Sequence, residues 1–107
     1  MIRVVIERRI KPGKEREMWS LLHDLRSQAM RQPGYVSGET LVGTDDPALW
    51  VVISSWLKPE YWQSWSKSPE RQGIASAESG LLSAPVKTAV LKFLEEPGGS
   101  EDEPVGE

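Results

Sequence analysis

Along the first ten residues the side chains alternate. Ile2, Val4, Ile6 and Ile10 fall on one side of an extended chain, and Arg3, Val5, Glu7 and Arg9 on the other. This period of two predicts a strand, with Arg8 as the one charge on its apolar side. Lys11-Pro12-Gly13-Lys14 breaks the pattern. From Glu15 the period changes to that of a helix, with Met18, Leu21, Leu22, Leu25 and Ala29 forming one apolar stripe of about four turns. Gln32-Pro33-Gly34 ends it, because proline cannot continue the hydrogen-bond ladder and glycine permits the turn. Residues 35–43 read as a second strand weakened by Gly38. The Thr44-Asp45-Asp46-Pro47 turn and residues 50–57 (WVVISSWL) then complete a hairpin. Pro59 and Pro69 each stand where a helix begins, the second after Ser68 as N-cap. They predict one helix through Trp65 and another from Pro69 to about Ser79, with Gly80 as its stop. Residues 86–94 (VKTAVLKFL) give the last strand.

The order β-α-β-β-α-β predicts an α+β, ferredoxin-like domain: a four-stranded antiparallel sheet with its helices on one face. The third strand is apolar on both sides, with Val51, Ile53 and Leu57 opposite Trp50, Val52 and Trp56, and the fourth shows the same two-sidedness. A sheet wetted on one face would alternate cleanly. A second copy of the chain, joined sheet to sheet about a two-fold axis, is the expected cover.

Composition narrows the function. The 107 residues suit one small domain. Residues 97–107 (PGGSEDEPVGE) hold four of the sixteen acids and almost nothing apolar, which predicts a disordered acidic tail after a domain of residues 1–96. Without those four, twelve acids face thirteen basic residues, so the domain carries +1 instead of the formal −3. No basic cluster points to nucleic acid. The absence of cysteine removes disulfide and thiolate chemistry, and a single histidine, His23, does not make a multi-histidine metal site. No apolar run approaches membrane-spanning length, no charged-then-apolar leader precedes the first strand, and no glycine-rich loop has phosphate-cradling spacing. The expectation is a soluble cytoplasmic protein without metal or cofactor.

Three stretches carry a resemblance: Arg31-Gln32-Pro33-Gly34-Tyr35 before the second strand, Ser54-Ser55-Trp56 at the end of the third, and Glu60, Trp65 and Ser68 within WLKPEYWQSWSKSPE. Together they resemble the antibiotic biosynthesis monooxygenase family of dimeric α+β barrels, over residues 1 to about 95. The resemblance implies a homodimer and a family that mixes cofactor-free oxygenases of phenols and quinols, haem-degrading enzymes and members of unassigned function. The haem-degrading branch shares Trp65. Its haem-ligating histidine, however, falls at Ala75, and its strand-one asparagine near Glu7 or Arg8. Some quinol-oxidising relatives carry a histidine where this chain has Glu70. The reading is therefore a cofactor-independent monooxygenase of a small aromatic, phenol- or quinol-like molecule. A non-catalytic small-molecule-binding or structural homodimer is the alternative, and haem binding or degradation ranks below both.

Cofactor-free oxygenation asks for a dry aromatic pocket and a group that favours the substrate anion. Trp56, Tyr61, Trp62 and Trp65 place four aromatics within ten residues, and Trp62 and Trp65 share a helical face. They are the candidate substrate-pocket residues, against the plainer use of large side chains as core filling. His23, the one histidine and so the one residue of the type whose ordinary pKa lies near neutrality, is set by the helical wheel at the border of the buried face beside Trp19 and Met30. Arg8 is the second catalytic candidate; its plainer use is an ion pair with Glu39 or another strand carboxylate.

Overall fold

A computed structural model describes residues 1–96; the acidic tail expected over 97–107 lies outside the described residues. The elements are β1 (Ile2–Arg9), α1 (Glu15–Ala29), β2 (Tyr35–Val42), β3 (Leu49–Trp56), α2 (Pro59–Ser66), α3 (Pro69–Ala75), a 3₁₀ turn (Glu78–Leu81) and β4 (Lys87–Lys92). The strands form one antiparallel sheet in the order β2-β3-β1-β4. This is the α+β, ferredoxin-like arrangement the periodicities predict.

The alternation in β1 sets the two sides of the sheet. Ile2, Val4, Ile6 and Arg8 point toward the helices, followed by Ile10, and all five are buried. Register places Trp56, Ser54, Val52 and Trp50 of β3 opposite them on the same face. α1 lays Met18, Leu21, Leu25 and Ala29 against this surface, and α2 adds Trp62 and Trp65. The largest fully buried side chain is Trp56, whose indole N–H donates to Ser54 Oγ at 3.0 Å. That bond satisfies a donor that would otherwise be buried unpaired.

The last helix departs from expectation. Instead of one helix to Ser79, α3 stops at Ala75 and a 3₁₀ turn follows, with Gly80 inside that turn and not at a helix end. Gly73 weakens the helix, and the Ser76 hydroxyl donates back to the Gly73 carbonyl at 2.8 Å, competing with the regular ladder. The start is as expected: Ser68 Oγ accepts the Arg71 amide at 3.2 Å, with Pro69 in the first turn.

On the sheet's other face, β1 turns out Arg3, Val5, Glu7 and Arg9. Their partners include Ile53 and Val51 on β3 and Leu91 on β4, and Leu41 of β2 pairs in turn with Val51. Val51 and Ile53 are only half-buried, and Leu41 and Leu91 are about half exposed (47% and 50%). No helix of the described residues is long and apolar enough to cross a membrane.

Candidate functional site

Between the helix side of the sheet and α1, α2 and α3 lies a cavity of about 60 Å³. Its aromatic wall is Trp56, Trp62, Trp65 and Tyr35. Tyr35 stands edge-on to Trp56 with ring centroids 5.3 Å apart, and Trp62 meets Trp56 at 5.9 Å. Both are the offset geometries that aromatic quadrupoles favour. Tyr35 reaches the cavity because Gly38 stands beneath its hydroxyl; a Cβ there would lie 2.5 Å from the phenolic oxygen.

Three of the four expected pocket aromatics thus face one space. Tyr61 does not. It follows α2 round by one residue from Trp62, about 100° of helical turn, and packs its ring over Gly34. A Cβ at Gly34 would come within 2.1 Å of that ring, and Gly34 also has φ +81°, which L side chains rarely adopt.

Charge in the cavity wall has one sign. Among the described residues Arg8, Arg26 and Arg71 line it, and no aspartate or glutamate does. Arg8 is 2% exposed and is ion-paired through Nε to Glu78 of the 3₁₀ turn, which approaches from behind the wall. Its partner is therefore not Glu39 or another strand carboxylate, because Glu39 and Glu7 project from the opposite face of the sheet while Arg8 is on the helix side. Burial pushes the Arg71 guanidinium below its ordinary value; neighbouring Arg8 pushes the same way, and Glu78 opposes them. The Arg71 guanidinium carbon lies 5.3 Å from the Trp62 ring centroid, a cation–π contact. Arg26 donates from Nη2 to Thr40 Oγ1 at 2.9 Å.

His23 falls outside this space. Its side chain is 73% exposed, beside Asp24 at 3.9 Å, and not at the border of the buried face. The stripe centres on Leu21 and Leu25, which turns His23 toward solvent. It faces an outer groove of about 230 Å³ together with Trp19 and Met30. Leu22, Arg26 and Thr40 line both groove and cavity, so these three side chains are the partition between them.

The sequence pattern does not point to Arg71, Tyr35 or Arg26 as cavity residues. Tyr35 stood within the resembling stretch and begins a strand opposite Trp56. Arg26 sits one turn past Leu22 on the edge of the apolar stripe. Nothing local marks Arg71, whose position depends on how α3 folds back over the sheet.

The antibiotic biosynthesis monooxygenase profile matches residues 1–77, most of the chain. The chain belongs to the antibiotic biosynthesis monooxygenase family. No curated protein matches it. Among solved structures it is similar to a conserved protein from Methanosarcina mazei Go1, with TM-score 0.81 and 19% identity over 85% of this chain and 90% of that one. It is also similar to Rv0793 from Mycobacterium tuberculosis, with TM-score 0.80 and 19% identity over 89% and 96%. A third is SnoaB, a cofactor-independent oxygenase from Streptomyces nogalater, with TM-score 0.76 and 19% identity over 89% and 95%. At these identities the likeness carries the fold, and the chemistry has to come from this family member's own residues.

Proposed function

We propose that the protein is a homodimeric, cofactor-independent monooxygenase of small aromatic, phenol- or quinol-like molecules. The observation that carries this reading is the cavity wall: three tryptophans and a tyrosine, with Arg8 and Arg71 among them. Such a wall suits a flat ring whose electron-rich anion reduces dioxygen. In the overall reaction a ring methylene and O₂ become a carbonyl and water, so substrate carbon supplies all the electrons and no external reductant is consumed. Arg8 stabilises the anion inside the cavity. His23 is the base available in the outer groove, where a phenol meets it before entering. A ligand pocket typically holds about 300–1,000 Å³; the inner cavity alone is far smaller, so substrate-sized space requires the Leu22, Arg26 and Thr40 partition to part.

Haem chemistry finds little here. Of the side chains that ligate haem iron, the described cavity wall offers only the Tyr35 hydroxyl, which is seated close over Gly38. The non-catalytic alternative draws on a different observation: among the described residues no imidazole or carboxylate lines the inner cavity.

Oxygen uptake decides between them. The purified protein, given a panel of hydroquinones and anthrone-like phenols without added flavin, haem or metal, is expected to consume oxygen in proportion to product. Tight binding without uptake supports the non-catalytic homodimer. Neither binding nor uptake across the panel, with no absorbance change on titrating haem, refutes the enzyme readings.

A further inference from the structure

The cavity wall has an unbalanced charge that core filling does not explain. Glu78 neutralises Arg8, but it does so from outside the cavity. Arg26 is bonded to a neutral hydroxyl. Arg71 has no carboxylate within ion-pair distance among the described residues; its guanidinium lies over the face of Trp62, and Glu78, already paired with Arg8, acts on it only from a distance. With Glu78 counted, the described residues of this corner hold two more positive charges than negative. A half-buried guanidinium keeps its proton under any working condition, so the imbalance cannot be relieved by titration. It can be relieved by a ligand.

We propose that the cavity selects aromatic molecules bearing an oxyanion on the ring, with the charge against Arg71 and Arg8 and the ring against Trp62 and Trp56. The inference rests on the reading of the cavity as the substrate site and adds the charge of what enters. Planar guanidinium forks match two-oxygen anions in particular, and Trp62 serves both ends of such a ligand, because one face holds Arg71 while its neighbours form the aromatic wall. A carboxylate and a phenolate share this chemistry, and two probe pairs separate them.

The test uses the intact protein, titrated with benzoate against benzamide and with 4-nitrophenol against 4-nitroanisole, followed by tryptophan fluorescence and nitrophenolate absorbance. Benzoate is expected to bind at least tenfold more tightly than benzamide, or bound 4-nitrophenol to ionise with an apparent pKa about one unit lower than when free, which is the same tenfold preference. The first result assigns a carboxylate and the second a phenolate. Arg71→Met keeps the stem on Trp62 and removes the charge. It is expected to weaken the anion at least fivefold while leaving the neutral partner within twofold, and Arg71→Lys to recover part of the loss. The wild-type comparison of charged with neutral probes needs no variant to fold. Equal affinity for both members of each pair, or an undiminished preference in Arg71→Met, overturns charge selection and leaves the aromatic cavity standing as a ligand site. Failure of all four probes to bind refutes the cavity as a ligand site, and the charge inference with it.

Discussion

A charged side chain in the core is the sharpest local feature of the chain. Arg8 occupies a position where alternation calls for an apolar residue, and Glu78, 70 residues later, is its partner. Two charges taken out of water are not strongly stabilising as a pair, but removing one partner strands the other. Arg8→Met therefore leaves the part-buried Glu78 without its ion-pair partner and should cost up to about 3 kcal/mol in chemical denaturation, less than a fully buried pair would lose because Glu78 keeps some contact with water and lies near Arg71. The double variant Arg8→Met with Glu78→Gln removes both charges and should recover most of that loss. A double variant no more stable than the single one would mean that the arginine acts through its volume alone. The same pair also bears on function, because Glu78 holds Arg8 in place without lining the cavity, so that Arg8 and Arg71 both stand in the wall a ligand meets.

Elements were legible where the signal is short-range, and the hairpin shows how far that reaches. The β2–β3 turn could be read from Thr44-Asp45-Asp46-Pro47, and the structure closes it with the Leu49 amide donating to the Asp46 carbonyl at 3.0 Å. That Asp46 also accepts from Arg9 at 2.5 Å, tying the turn to the end of β1, was not legible, because the contact spans 37 residues. The same limit explains the site. Trp62 and Trp65 were readable from their shared helical face and Trp56 from its strand. The helical wheel sets His23 one step too far inward, and no local signal marks Arg71, because only tertiary packing decides what α3 covers. The Arg9 hydrogen bond holds the Asp46 carboxyl below the usual aspartate range despite its exposure. A carboxylate depressed in the folded state contributes stability above its unfolded value, near pH 4, and loses it as pH falls through the lower folded value. Asp46→Asn should therefore lower the melting temperature slightly at neutral pH and at low salt, and the difference from wild type should close on acidification. Solvent screening keeps the effect small. A difference that persists well below the aspartate range would show that the asparagine disturbs the turn itself.

At the scale of the whole molecule, the sheet poses the largest energetic question. Its helix side is covered by α1 and α2, while Val5, Leu41, Val51, Ile53 and Leu91 occupy the other side with no element of the described chain over them. Apolar surface left in water forgoes roughly 25 cal/mol per Å², and three or four strands offer an area of the order of a standard interface, roughly 800 Å² per partner. Arg3, Glu7 and Glu39 stand on the same face, so a two-fold axis can set each sign against its opposite on the second copy. On this argument the protein sediments as a dimer at micromolar concentration, and its melting temperature rises with protein concentration because association is linked to folding. Ile53→Glu places a charge at the middle of that face, where in a dimer it would be buried without a partner and in a monomer would stand in water. It is expected to shift sedimentation to the monomer and remove the concentration dependence, with a circular dichroism spectrum close to that of the wild type. A wild-type chain that sediments as a folded monomer, with a melting temperature independent of concentration, would mean that the outer face tolerates water and that the cavity beneath the helices is built by one subunit alone.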